Sequence, residues 1–298
     1  MTSVRIVVTG RKGQIVSSLI ECGAGVAEIV ALGRPQLDLA NEQSVARAFE
    51  GLRPDVIVNA AAYTLVDKAE EDAEAAMRVN AAGAGAVAAA AARLGVPIIH
   101  LSTDYVFDGV MDRPYREDDL VGPTGVYGRT KLEGERRVAA QCDDHVILRT
   151  AWVYSPFGTN FVRTMLRLGE TRHELGVVAD QLGNPTSAVD IANGVLTIAQ
   201  HISRDSSAML RGVFHMTGSG EATWAELAEA TFAQAQKHGR SPVLVKRITT
   251  ADYPTPAKRP ANSRLDNTRL REIYSLSLPD WRISLRRCVD RLLVNSEV

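Results

Sequence analysis

Tyr127 and Lys131 stand four residues apart in the stretch Tyr-Gly-Arg-Thr-Lys, a spacing that places both side chains on one face of a helix. An ammonium beside a phenol favours the phenolate. A tyrosine with an ordinary pKa of about 10 is then expected to exchange a proton near neutrality. Thr103 closes the apolar run at residues 96–101, which reads as a buried parallel strand. Active sites of parallel sheets lie just beyond the strand ends, so its hydroxyl is placed to share a hydrogen bond between a substrate oxygen and Tyr127. The competing reading of the pentapeptide is a pair of surface neighbours.

The elements that must hold these groups begin at the N-terminus. A β-branched run at residues 4–9 leads straight into Gly10-Arg11-Lys12-Gly13-Gln14-Ile15-Val16. Strand, glycine turn and helix open a dinucleotide-binding unit. Gly10 permits the tight turn, and Gly13 lets the backbone approach a pyrophosphate at the positive helix terminus. Taken alone, Gly-x-x-Gly also marks a plain turn. Val16 stands where a third glycine usually allows close packing, so this helix is expected slightly farther from the sheet.

A second strand near residues 28–32 is followed by Gly33-Arg34 and lacks the carboxylate that would repel a ribose 2′-phosphate. Arg34, aided by Arg11 or Lys12, is placed to pair with that phosphate, which favours NADPH and leaves NADH possible. A solvated Arg34 is the alternative. Asp38 is placed to accept from an adenine amino group and Leu39 to cover the ring, with Asn41 capping the next helix. A third strand at residues 54–59 ends in Ala60, Ala61 and Ala62, small side chains against which a flat ligand can lie, with Tyr63 next. Residues 63–70 read as a polar loop before a long helix. Within it Asn80 is a lone amide that either touches ligand or ties the helix to neighbouring backbone.

The strand to Thr103 and a helix from Tyr127 to about residue 141 frame a loop at 108–123, rich in Asp, Gly and Pro and suited to an active-site rim. Another buried strand follows at 145–149, so βα alternation persists for about 150 residues, the doubly wound pattern. The expected organisation is α/β. A Rossmann dinucleotide-binding domain spans 1–150, with about 187–217 packing back on it, and a smaller α+β substrate domain spans 151–298. In that second half Trp152 either covers a sugar beside the active-site edge or packs in the core. Asn184 lies in a polar turn, and Thr223 with Glu226 forms a capping box. Arg259 and Arg264 flank a loop whose guanidinium forks match diphosphate oxygens, unless they are simply solvated.

Over 298 residues, 23% charged residues and a net charge of −1 give no electrostatic footprint for nucleic acid or an anionic membrane. Cys22, Cys142 and Cys288 fit no metal spacing and read as reduced thiols of a cytoplasmic protein. The chain opens into a strand rather than a leader, and no run of about 18 apolar residues occurs, so no membrane partner is expected.

Val58-Asn59-Ala60-Ala61-Ala62, Val66-Asp67-Lys68-Ala69-Glu70, Ser102-Thr103-Asp104-Tyr105-Val106-Phe107, Arg149-Thr150-Ala151-Trp152-Val153-Tyr154, Tyr253-Pro254-Thr255-Pro256 and Arg259-Pro260-Ala261-Asn262-Ser263 together resemble the extended short-chain dehydrogenase/reductases, over nearly the whole chain. The resemblance implies a catalytic Thr103, Tyr127 and Lys131, and a cofactor site including Gly10, Gly13, Gln14, Ile15, Asp38, Leu39 and Ala60 to Ala62. Arg11, Lys12, Arg34 and Tyr63 complete the expected cofactor set, with Tyr127 and Lys131 at its nicotinamide end. Expected contacts to a sugar nucleotide are Thr103, Asp104, Tyr105, Trp152, Asn184 and Arg259. The activity implied is NADPH-dependent reduction of the 4-keto group of dTDP-4-dehydro-L-rhamnose, with Tyr127 as general acid.

Some relatives dimerise through magnesium held by acidic residues at two places, just after the glycine turn and near the helix after Pro185-Thr186. Here Ser17 and Ser18 occupy the first place and Asp190 is the only acid near the second, so no metal and a monomer or weak homodimer are expected. Two further readings share the fold: an epimerase or dehydratase of nucleotide sugars, and a non-catalytic NADP-binding regulatory subunit. The joint presence of Thr103, Tyr127 and Lys131 argues against the second.

Overall fold

The computed structural model describes residues 3–294. Strand β1 (Val4–Thr9) leads through the glycine turn to helix α1 (Gln14–Gly23), then β2 (Ala27–Leu32), α2 (Glu42–Ala48) and β3 (Val56–Asn59). Short helices α3 (Val66–Glu71) and α4 (Ala73–Met77) pass through a π-helical turn, Arg78–Gly83, into α5 (Ala84–Leu94). Strand β4 (Ile98–Thr103), α6 (Val126–Gln141) and β5 (His145–Thr150) complete the alternation. After them come β6 (Val153–Tyr154), α7 (Phe161–Gly169), β7 (Glu174–Val178), β8 (Leu182–Gly183), β9 (Thr186–Ser187) and α8 (Ala188–Ile202). The remainder is β10 (Gly212–His215), β11 (Ala222–Thr223), α9 (Trp224–Gln236), β12 (Leu244–Ile248), α10 (Thr268–Tyr274) and α11 (Trp281–Val294).

Six strands form one parallel sheet in the order β10-β5-β4-β3-β1-β2. The order in which strands are added reverses between β1 and β3, which opens a crevice at the carboxyl ends of these strands. Strands β3 and β4 are buried at every residue, as strands covered by helices on both faces must be. One apolar layer, with Ile6, Val58, Ile191 and Phe214, packs on one face. A second, with Val7, Ile57, Val87 and Ile147, packs on the other. Alanine-rich α5 buries Ala84, Ala88 and Ala91, as its low bulk predicts.

Residues 66–70, expected as loop, are helical, and the long helix after them is broken. Asp72 ends α3 and caps α4 by accepting from the Ala75 N–H. Asn41 and Thr223 cap their helices as expected, Thr223 in a full capping box with Glu226. Strand β10 joins the main sheet beside β5, and α8 packs against α1. The other strands make three two-stranded ribbons, β6 with β9, β7 with β12 and β8 with β11. Val162, Leu227, Trp281 and Val289 bind α7, α9 and α11 into a further apolar cluster. Among the described residues no helix is long and apolar enough to cross a membrane.

Candidate active site

The glycine turn is built as its sequence requires. Gly10 has φ +104°, a region that favours glycine, and a β-carbon there would lie 3.1 Å from a Val16 methyl group. Val16 is thus a buried contact beneath the turn. Gly13 is the N-cap of α1 and supplies no side-chain acceptor, which leaves the N–H groups of the first turn available to an anion. Thr9 accepts from the N–H of Ala60 and of Ala61, both at 3.1 Å, and donates to Asn59 Oδ1 at 2.7 Å. Asn59 Nδ2 donates in turn to His100 Nδ1 at 3.0 Å. This chain across β1, β3 and β4 fixes the alanine turn against the glycine turn.

Helix α6 carries Tyr127 and Lys131 on one face, as their spacing predicts. Glu70 Oε1 accepts from the Val126 N–H at 2.8 Å and so holds the start of that helix. A β-carbon on Gly128 would overlap the Tyr105 carbonyl oxygen, and one on Gly134 would overlap that of Asn80. Close approach of α6 to its neighbours therefore needs both glycines. Asn80 proves to be a tie: it accepts from the Tyr63 N–H at 2.8 Å and donates to Tyr63 O and Thr130 Oγ1.

A cleft of about 660 Å³ runs from the glycine turn along the strand ends. Gly10, Lys12, Gly13, Gln14, Ile15 and Ala60 to Ala62 line one end; Thr103, Asp104, Tyr105, Tyr127, Lys131 and Trp152 line the other. A second cleft continues from it, bounded by Arg11, Lys12, Arg34, Asp38 and Leu39. Three cations, Arg11, Lys12 and Arg34, border this end. Arg34 lies 3.4 Å from Asp38 with its side chain 74% exposed, and Arg11 donates to Gln36. A third cleft shares Tyr105 with the first and includes Arg259, Gln181 and Trp224.

Electrostatics of the catalytic end depart from the expectation. Burial, with the nearby Asp104 carboxyl second, pushes the Tyr127 phenol up, while a hydrogen bond from Thr103 opposes the shift. Burial pulls Lys131 down to about 8, opposed by Glu135. Its ammonium donates to Leu101 O at 2.6 Å. Burial at this end of the cleft outweighs the predicted depression of the phenol. The result is a neutral, proton-bearing Tyr127, the form that a general acid requires. Beneath it Glu135 accepts from Arg149 Nε and Nη2 at 3.0 and 2.7 Å and from Ser102 Oγ at 2.5 Å, a buried network under the strand end.

Two expected contacts are not brought to the clefts. Tyr63 packs against the cluster of Ala69, Ala76 and Val126 and its backbone is tied to Asn80, because Asn80 draws this segment toward α6. Asn184 is buried and its amide is spent on Gly220 O and the Leu265 N–H. Trp152 is brought to the cleft and is packed there. It lines the first cleft, and its indole stacks on Trp224 with ring centroids 3.6 Å apart and donates to Ser263 Oγ at 3.0 Å. Its φ is +48°, and its indole lies against Gly183, where a β-carbon would overlap it. Arg259 is paired with Asp67 at 2.7 Å and lies 3.4 Å from the Tyr105 hydroxyl, at the border of the third cleft. Arg264, by contrast, is spent on Glu221, Asn262 and Asp112 O.

Roles that the sequence reading did not assign belong to Thr9, Glu70 and Asp67, and Gln14, expected at the cofactor, also accepts through Oε1 from Ser155 and Asn160. Asp190 accepts from Ser284, and among the described residues no group of three or more His, Cys, Asp or Glu side chains is gathered as for a metal.

Known proteins resemble the chain over nearly its whole length. The profile of the RmlD substrate binding domain matches residues 4–294. The dTDP-4-dehydrorhamnose reductase of Sinorhizobium fredii (strain NBRC 101917 / NGR234) is 52% identical over 98% of this chain and 99% of its own. A solved dTDP-4-dehydrorhamnose reductase of Clostridium acetobutylicum ATCC 824 superposes with a TM-score of 0.90 at 40% identity, covering 97% of this chain and 99% of that one. That of Bacillus anthracis str. Ames, solved in complex with NADP, has a TM-score of 0.90 at 33% identity over 97% and 100%. The chain belongs to the RmlD substrate binding domain family, among the dTDP-4-dehydrorhamnose reductases.

Proposed function

We propose that the chain reduces the 4-keto group of dTDP-4-dehydro-L-rhamnose to dTDP-L-rhamnose with NADPH. The carrying observation is that Thr103, Tyr127 and Lys131 line one cleft with the glycine turn, in a chain 52% identical to a curated reductase. The residues fit the dinucleotide: an uncapped helix start at Gly13 for the pyrophosphate, alanines 60–62 for a flat ring, and three cations where an adenosine 2′-phosphate would lie. Bound there, the cofactor supplies the hydride.

The chain's own residues do the rest. Tyr127, kept protonated by burial, gives its proton to the substrate oxygen as charge develops there. Thr103, at the end of β4, orients that oxygen, and Lys131 provides a positive charge against the resulting phenolate. Trp152 covers the sugar. Arg259, which pairs with Asp67 at 2.7 Å and lines the third cleft, would exchange that partner for the diphosphate. The test is incubation of the pure protein with dTDP-4-keto-L-rhamnose and NADPH, following absorbance and identifying the sugar. Loss of one NADPH per dTDP-L-rhamnose formed supports the reading; interconversion of sugars without net NADPH loss refutes it.

A further inference from the structure

Asp104 is 3% exposed, yet it lies in the cleft beside Tyr127. Its Oδ1 accepts from Thr103 Oγ1 at 2.9 Å, whereas Oδ2 is buried and without a partner. A buried carboxylate without a paired cation is costly, whereas a carboxylic acid in the same place needs only an acceptor. The Thr103 hydroxyl has one hydrogen and two lone pairs. The Tyr105 N–H takes one lone pair at 3.2 Å. The other lone pair and the hydrogen remain for the carboxyl on one side and, on the other, the Tyr127 phenol, on which the Thr103 hydroxyl acts.

We propose that Asp104 is the proton reservoir of the site, returning a proton to Tyr127 through the Thr103 hydroxyl after each turnover. This rests on the reduction proposed above. Once Tyr127 has given up its proton, Asp104 O–H passes its hydrogen to Thr103 Oγ1 while Thr103 passes its own to the phenolate. The Asp104 O–H bond and the Thr103 O–H bond break, a new Thr103 O–H and the Tyr127 O–H form, and the charge moves from phenolate to carboxylate. Asp104 then takes one proton from water in the cleft, the proton that the reduction consumes.

The groups facing Asp104 are consistent with this cycle. Tyr105 adjoins it on its own turn, Tyr127 and Lys131 face the cleft from α6, and Ser263 meets it from the C-terminal loop. Arg259 and Asp67 act on Tyr105 behind it. Burial lifts the Asp104 carboxyl to about 7, opposed by the Thr103 hydrogen bond. Both phenols stay above it, Tyr105 at about 12, so a phenolate at Tyr127 is basic enough to take the proton.

Infrared titration of the full chain, without cofactor or substrate, reads the reservoir directly. The expected result is a carboxylic-acid carbonyl band that disappears as pH rises through about 7, is absent in Asp104→Asn, and shifts in Asp104→Glu. No such band overturns the proposal, and so does a band that survives Asp104→Asn. Kinetically, Asp104→Asn is expected to keep KM near wild type and lower kcat about tenfold or more. Wild-type kcat should decline as pH rises through about 7, and Asp104→Asn should lose that decline and recover turnover with added imidazolium. A raised KM with an unchanged pH profile makes Asp104 a substrate ligand only and overturns the relay. Should Asp104→Asn fail to fold, the wild-type band and its shift in Asp104→Glu decide. A wild type that oxidises no NADPH refutes the reduction itself, an outcome that the infrared result does not share.

Discussion

Gly128 lies flush against the Tyr105 carbonyl, close enough that a β-carbon would overlap the oxygen. That contact joins the helix bearing Tyr127 and Lys131 to the turn that follows Thr103. Gly128→Ala must push the two apart. Overpacking of this kind costs about 1–3 kcal/mol, and the shift falls on the catalytic groups. Chemical denaturation and steady-state kinetics should show lower stability together with lower kcat. A variant with wild-type stability and turnover contradicts the tight docking of α6.

Trp152 joins the first cleft to a stacked partner, Trp224. Trp152→Ala should raise KM for the sugar nucleotide and leave the NADPH dissociation constant unchanged, since the glycine turn lies at the other end of the cleft. Stability should also fall, because an aromatic pair contributes about 0.5–1.5 kcal/mol beyond its area. Weakened NADPH binding with an unchanged KM would place the indole elsewhere.

Arg34 borders the cleft that carries Asp38 and Leu39 and is paired only at 3.4 Å with Asp38. Arg34→Asp should weaken NADPH binding by roughly 1.5 kcal/mol, the low end for a charge-assisted contact because the side chain is largely exposed, and affect NADH far less. Isothermal titration with both cofactors measures the difference. An equal effect on the two moves the 2′-phosphate to Arg11 or Lys12.

His215 contributes to the pH dependence of stability. Burial, and then the Arg149 charge, pull it from 6.5 to about 3, and neither ring nitrogen has a partner. The folded state therefore binds fewer protons than the unfolded state between about pH 3 and 6.5. The stability that His215 contributes is present above about 6.5 and lost as pH falls, by about 1.4 kcal/mol per pH unit. His100, also pulled down by burial, acts in the same direction, whereas the raised carboxyl of Asp104 opposes both above about pH 4. Denaturation of His215→Gln across pH 4–6 should show a shallower slope by about one proton. An unchanged slope contradicts a neutral buried His215.

The sheet and the ends of its strands were legible because β-branched runs, glycine turns and helix caps are local signals. The Thr103, Tyr127 and Lys131 set was legible for the same reason, by spacing and by position at a strand end. Contacts between distant segments leave no such mark. The Thr9–Asn59–His100 chain, Glu70 at the start of α6 and Asp67 against Arg259 each join residues far apart in sequence. Asn184 looked available because its turn is polar, yet packing had consumed its amide. The direction of the Tyr127 shift was missed because burial is a property of the whole fold, while the neighbouring lysine is visible in the sequence.

The most direct measurement compares wild type with Tyr127→Phe on dTDP-4-keto-L-rhamnose and NADPH, recording cofactor consumed, sugar formed and cofactor affinity. Wild type should consume one NADPH for each dTDP-L-rhamnose. Tyr127→Phe should fold, bind NADPH nearly normally and lose about 10²–10⁴ in kcat. Turnover by Tyr127→Phe within about threefold of wild type would contradict Tyr127 as the proton donor, and a wild type that leaves NADPH untouched would contradict the reduction.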